Sequence, residues 1–117
     1  MIGKLVMELF HARTTAHVLH LKSRSYAQHV ALQGFYDGII PLVDGLAEAY
    51  QGEFGLIETY PPKYSPYSDP LPLMDDLREC VDECAKEIDR TESHLHNILD
   101  EIRALIASTA YKLRFLR

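Results

Sequence analysis

Three histidines and three acids with helical spacing lie between residues 17 and 48, in the stretch HVLHLKSRSYAQHVALQGFYDGIIPLVDGLAE. His17 and His20 close one amphipathic segment, a polar break follows, and His29, Asp37, Asp44 and Glu48 run along the next. Asp37, Asp44 and Glu48 stand at i, i+7 and i+11, one line on a helix, which His29 and Gln33 extend toward the N-terminus. Imidazole and carboxylate donors on facing helices suit iron, manganese or zinc, and carboxylates can bridge two irons. At about 100° per residue the acidic line is turned well over a right angle from the Ile39 and Leu46 face. The acids therefore face water or a second subunit. His20 instead projects into the apolar stripe of its own helix, with His17 at its edge.

Four helices are expected to position these residues. The first spans about 2–22, on a stripe of Ile2, Leu5, Val6, Leu9, Ala12, Ala16 and Leu19 that one arginine, Arg13, interrupts. Ser25 can cap the second with Gln28 completing a capping box. That helix runs over about 26–51 on Leu32, Phe35, Ile39, Leu42, Val43, Leu46 and Ala49, bends near Asp37 because of Pro41, and stops at Gly52. The third covers about 71–89 on Leu73, Leu77, Cys80, Val81, Cys84 and Ile88, with its charged residues forming a solvated outer face. The fourth covers about 92–115, capped by Thr91 or Ser93, on Leu95, Ile98, Leu99, Ile102, Leu105, Ile106, Thr109, Leu113 and Leu116. Residues 52–70, rich in proline and tyrosine, exclude helix and central strand and are long enough to carry the chain from one end of a bundle to the other. The fold class is all-α, a single-domain four-helix bundle with up-down-down-up order and one long crossover between the second and third helices.

Composition narrows the function classes. The chain has 117 residues, 47% hydrophobic and 25% charged, with a formal net charge of −5. That suits one folded domain and a field that repels nucleic acid and acidic lipid. No apolar run approaches the roughly 18 residues of a membrane span, and residues 1–10 are too short and too charged for a secretory signal. A cytoplasmic location is expected. Cys80 and Cys84 read as small core residues in a reducing compartment. No nucleophile motif, phosphate loop, zinc signature or paired Glu-x-x-His is present.

His20, then His29 in the first turn of the next helix, then Asp44 and Glu48 one turn apart, together resemble the metal-binding pattern of the Dps-type miniferritins. The resemblance covers about residues 10–52. It implies a ferritin-like bundle that assembles as a homo-oligomer, with His20, His29, Asp44 and Glu48 as metal ligands. Histidines from one subunit and acids from another would then form an iron-oxidising centre, iron being the implied cofactor. The chain departs from that pattern in three places. Leu21 and Lys22 stand where the family has Trp-Asn, with three residues fewer before the second histidine. Gln33 replaces a further carboxylate. The first helix begins at residue 2 with no basic segment before it, so DNA binding is not expected. Over its whole length, to the closing YKLRFL, the chain is also similar to small uncharacterised proteins of tailed phages, which implies a location in host cytoplasm or virion and no established activity.

The same residues have structural readings. His17 and His20 can be core histidines held by a backbone or carboxylate partner, and Asp44 and Glu48 a solvated stripe. A buried Arg13 needs an acid, for which Glu101 is a candidate. His94 and His96 diverge by about 200° and do not chelate one ion together. Tyr60, Tyr64 and Tyr67 on the crossover can bind a protein partner, since tyrosine is enriched in binding hot spots, or can pack the crossover onto the bundle. The alternative function is thus a non-catalytic, phage-encoded bundle that binds a host or virion protein.

Overall fold

The computed structural model describes all residues from 1 to 117 and contains four helices: α1 (Ile2–Lys22), α2 (Tyr26–Phe54), α3 (Pro70–Glu87) and α4 (Ser93–Phe115). It is the expected all-α four-helix bundle. Neighbouring pairs are α1 with α2, α2 with α4, α4 with α3, and α3 with α1, leaving α1 and α4 on a diagonal. Each helix buries one stripe. Leu5, Leu9, Leu32, Phe35, Ile39, Val43, Leu46, Val81, Leu95, Leu99 and Ile102 lose all contact with solvent and form one contiguous core. No helix is long and apolar enough to cross a membrane.

Local chemistry fixes the helix ends. The Ser25 hydroxyl accepts the Gln28 amide at 3.2 Å. The reciprocal half of the expected capping box is replaced, because the Ser25 amide donates to Ser23 Oγ at 3.1 Å. α2 passes through Gly52 and through Pro41, which lies on the exposed side where the lost donor leaves its carbonyl facing water. The stop is Gly55, at φ 90° and ψ 174°, a region open to glycine and closed to residues with a Cβ, and its amide reaches Gln51 O at 2.9 Å. α3 starts one residue earlier than expected, with Pro70 in the first turn and Asp69 capping the Leu71 amide at 3.0 Å. It ends at Glu87, two residues early, yet Ile88 stays buried. Neither Thr91 nor Ser93 caps α4: Glu92 holds the cap position without a side-chain bond. Thr91 instead donates through its amide and its hydroxyl to Asp89, and those bonds hold the Asp89 carboxyl below the usual carboxylate range. Leu116, expected inside, is 47% exposed because α4 ends at Phe115.

The crossover, residues 55–69, climbs along α1 from the end where the chain begins to the end where α3 starts. Its lower part crosses the first turn of α1, where a Cβ on Gly3 would fall on the Thr59 carbonyl. Only a residue without a side chain lets the two backbones approach this closely. Higher up, Tyr64 meets His11 edge-on at 5.1 Å and its hydroxyl lies 2.9 Å from Thr15 Oγ1. An open cleft of about 550 Å³ remains between the crossover and the upper part of α1.

The Met1 amino group pairs with Glu87 across the lower end of α1 and α3. On the outer face of α3 and α4, Arg103 donates to Asp82 and to Asp100, each at 2.8 Å. Burial alone would raise the Asp82 carboxyl, but the Arg103 guanidinium brings it below its ordinary value. The rest of the charged face of α3 is solvated, as its spacing predicts. Replacing Gly3 with valine is expected to push the crossover off α1 and lower unfolding stability by about 1–3 kcal/mol in urea titration; an unchanged midpoint would show that the close approach is dispensable.

Candidate functional site

The end of α1 and the start of α2 are joined by a stack of rings. His20, 6% exposed, places Nδ1 2.6 Å from the His29 carbonyl, and His29 places Nδ1 2.8 Å from the His20 carbonyl. An imidazole nitrogen facing a carbonyl must donate, so each ring carries a proton on Nδ1 and turns Nε2 away from the partner's backbone. The rings lie face to face, with centroids 3.5 Å apart and planes 18° apart. Tyr26 continues the stack beyond His29 at 6.3 Å. On the inner side Tyr36 meets His20 edge-on at 5.2 Å, with its hydroxyl 3.4 Å from His20 Nε2. His17 stacks on Tyr36 at 4.1 Å, and the Arg13 guanidinium stands 5.6 Å over the same ring.

This placement decides what the histidines can do. Lone pairs of imidazole nitrogens lie in the ring plane, so two rings stacked face to face do not aim theirs at one point between them. The pair joins helices, and at most one of its rings ligates a given ion. Because Nδ1 is fixed by a carbonyl, each Nε2 keeps the orientation typical of a metal-binding histidine. His29, half-buried at the mouth of the stack, is the more accessible of the two. Arg13 is only half-buried and forms no ion pair with Glu101, since α1 and α4 are diagonal and Glu101 is exposed; the Tyr36 ring takes the partner's place.

Asp37, Asp44 and Glu48 are exposed on the outer side of α2, together with Tyr26, Val30, Gln33 and Pro41. From His29 to Asp44 the helix rises roughly 22 Å. One chain therefore brings His20 and His29 together and leaves Asp44 and Glu48 near the far end.

Two of the three crossover tyrosines use their hydroxyls within the chain, Tyr64 at Thr15 and Tyr67 at Asp76, the latter at 2.6 Å. Tyr60 is 40% and Tyr64 47% exposed. The hydrogen bond to Asp76, then burial and the nearby acids, push the Tyr67 phenol up to about 12. The cysteines are free thiols; burial pushes Cys84 up to about 11 and raises Cys80 as well, which makes both weak nucleophiles.

Sequence reasoning missed two features. One is a group of donors at the other end of the bundle, where His94 Nε2 lies 3.3 Å from Glu53 and 3.9 Å from Glu92. Ending the second helix at Gly52 consigns Glu53 to a loop; carrying the helix to Gly55 would have placed it on a defined face. His94 and His96 do diverge, His96 Nε2 lying 3.1 Å from the Ile88 carbonyl. The other is charge segregation. No acid occurs between Glu8 and Asp37, and no Lys, Arg or His between Asp37 and Lys63, so the α1–α2 hairpin is basic at its turn and acidic at its open end.

Compared with known protein families, residues 20–113 match a family of unknown function, DUF5856. Neither the curated proteins nor the solved structures give a match.

If the stacked pair clasps α1 to α2, then His20→Ala and His29→Ala each destabilise by about 1–3 kcal/mol. A double-mutant cycle between them should then give a coupling of about 1 kcal/mol or more, whereas additive losses would show that the rings act independently. For Tyr67, the folded-state phenol titrates above its unfolded value of about 10. Its contribution is therefore complete below pH 10 and is lost as pH rises toward 12. Tyr67→Phe should flatten the stability profile in that window, as followed by circular dichroism; an identical slope in both proteins would remove Asp76 as the cause.

Proposed function

The chain belongs to DUF5856, a family of unknown function that supplies no activity to transfer, and we propose from the chain's own geometry that it works as a self-associating helical bundle. The observation that carries this reading is the outer face of α1 and α2. At the turn end Leu21 is 71%, Tyr26 81% and Val30 46% exposed, an apolar cluster around the histidine stack. Arg13, His17, Lys22 and Arg24 flank it, and Asp37, Asp44 and Glu48 occupy the other end. Exposed apolar side chains ringed by polar ones mark interaction surfaces. A face that is basic and apolar at one end and acidic at the other complements its own copy turned through a two-fold axis.

An axis crossing α2 near Asp37 lays Val30 against Asp44 of a second copy and Tyr26 against Glu48 of that copy, all on the outward side. Both acids then stand beside His29, whose Nδ1 is already held by the His20 carbonyl. His20, His29, Asp44 and Glu48 form one intersubunit position for a divalent ion, with His29 and the two acids as ligands and His20 as the ring that orients His29. Iron is the ion that the miniferritin resemblance implies. Its binding would neutralise the paired acids and strengthen the assembly.

Native mass spectrometry and light scattering test the pairing. The wild-type protein is expected to be a dimer or a larger assembly of dimers. Asp44→Lys with Glu48→Lys, and separately Tyr26→Ser, should each weaken association by about tenfold or more, the equivalent of roughly 1.4 kcal/mol. Asp37 meets its own copy at the axis, so Asp37→Asn should tighten association. A strictly monomeric wild-type protein at high concentration would overturn the proposal, and so would an assembly indifferent to all three changes.

A further inference from the structure

We propose that Glu53, Glu92 and His94 form a second, intrachain site for one divalent transition-metal ion of the zinc class. It lies at the end of the bundle opposite the histidine stack, and it does not depend on self-association. The donors come from two antiparallel neighbours. Glu53 sits in the last turn of α2, Glu92 is the cap residue of α4, and His94 lies in the first turn of α4. One donor atom from each falls within 4.8 Å of the other two. Around a tetrahedral ion with bonds of about 2.0–2.2 Å, donors stand about 3.3–3.6 Å apart. The pair of His94 Nε2 and Glu53 Oε1, at 3.3 Å, already has that spacing. The pair with Glu92 Oε2, at 3.9 Å, is a few tenths of an ångström wider.

Around Glu53 the electrostatics favour a cation, and the two carboxylates offset the positive end that α4 presents at Glu92 and His94. Glu53 stands where the α2 dipole presents its negative end, and the last turn of α2 contains no basic residue. Neither Glu53 nor Glu92 pairs with a lysine or arginine, and the His94 imidazole is the one basic side chain that either meets. Imidazole has Nε2 turned between two carboxylates, where a proton or a metal can occupy the same position. The donor set sorts the candidates. A nitrogen ligand favours zinc, cobalt or nickel over magnesium and calcium, and carboxylates disfavour cuprous copper. Three protein donors leave one position to water. The bound ion would tie the end of α2 to the start of α4, beside the point where the chain leaves α2 at Gly55 for the crossover.

The test uses the full chain stripped with a chelator, titrated with zinc chloride by calorimetry, and melted with and without zinc. One zinc per chain is expected, with melting raised by about 10 °C at hundredfold excess over Kd. Glu53→Gln and His94→Gln should each lower zinc affinity by about tenfold or more and leave metal-free melting unchanged, because all three side chains are near the surface. His96→Gln, with its ring on the Ile88 carbonyl, and the Asp44→Lys, Glu48→Lys pair should bind zinc like wild type. Absence of stoichiometric zinc, wild-type affinity in His94→Gln, or equal competition by magnesium would each overturn the site. Zinc lost only in the Asp44, Glu48 variant would place the ion on the α1–α2 face and equally refute the intrachain site.

Discussion

The reciprocal pair of hydrogen bonds between His20 and His29 is the contact on which the shape of the α1–α2 hairpin depends. A helix that ends at Lys22 leaves its last carbonyls without intrahelical donors. The His20 carbonyl is one of them, and it lies in the core-facing stripe, where an unpaired oxygen costs about 1–3 kcal/mol. His29 supplies the donor from α2, and His20 returns one to the first turn of α2. The His29 imidazole thus satisfies an orphan carbonyl of α1, the His20 imidazole finds its own acceptor in the first turn of α2, and stacking fills the space between the helices. The three-residue turn at 23–25 can be short because these side chains hold the helix ends together. From this junction follow the register of α2 against α1, the position of Tyr36 under His17, and the outward direction of Tyr26 and Val30.

Much of this fold was legible in the sequence, and the reason is periodicity. Leu5, Leu9, Leu32, Phe35, Leu77, Val81, Leu99 and Ile102 recur at helical steps and are all buried. The proline-rich run admits no regular element, so the long crossover follows. Boundaries were less legible because several residues compete for each one. Gly52 and Gly55 both offer a stop, and only the backbone conformation tells which takes positive φ. Likewise Thr91 is a good cap by type, yet Asp89 captures both its donors first. Arg13 misled for a related reason. A cation on a core stripe suggests an ion pair, but the partner depends on which helices are adjacent, and the diagonal position of α4 removes Glu101.

The candidate site was legible as a set of residue types and spacings. Wheel arithmetic gave the outward direction of Asp44 and Glu48 and the inward direction of His20, both matched by their exposure. It gave neither the hydrogen bonds at Nδ1 nor the stacking of the rings, which depend on the turn. Nor does a pattern of periods disclose donors that meet only through tertiary packing. Glu53 and His94 lie 41 positions apart in the chain and become neighbours because α2 and α4 run antiparallel with matched ends.

A bundle of antiparallel helices sets a geometric limit on what one chain can assemble. Residues on a single helix separate by about 1.5 Å per position, so His29 and Glu48 stay more than 25 Å apart in any conformation that keeps α2 helical. Bringing them together requires either a return of the chain or a second molecule. Within the chain the return is made by α1 and α4. α1 contributes His17 and Arg13 at the histidine end and no acid between Glu8 and its C-terminus, while α4 contributes Glu92 and His94 at the acidic end. Mixed imidazole and carboxylate chemistry therefore closes locally only at the lower end. At the upper end neither α1 nor the first half of α2 brings an acid to the histidine pair, and the acidic stripe of α2 lies at its far end. The contrast follows from where the chain places its acids, and it is why one end of the molecule is read as an intrachain site and the other as a surface for assembly.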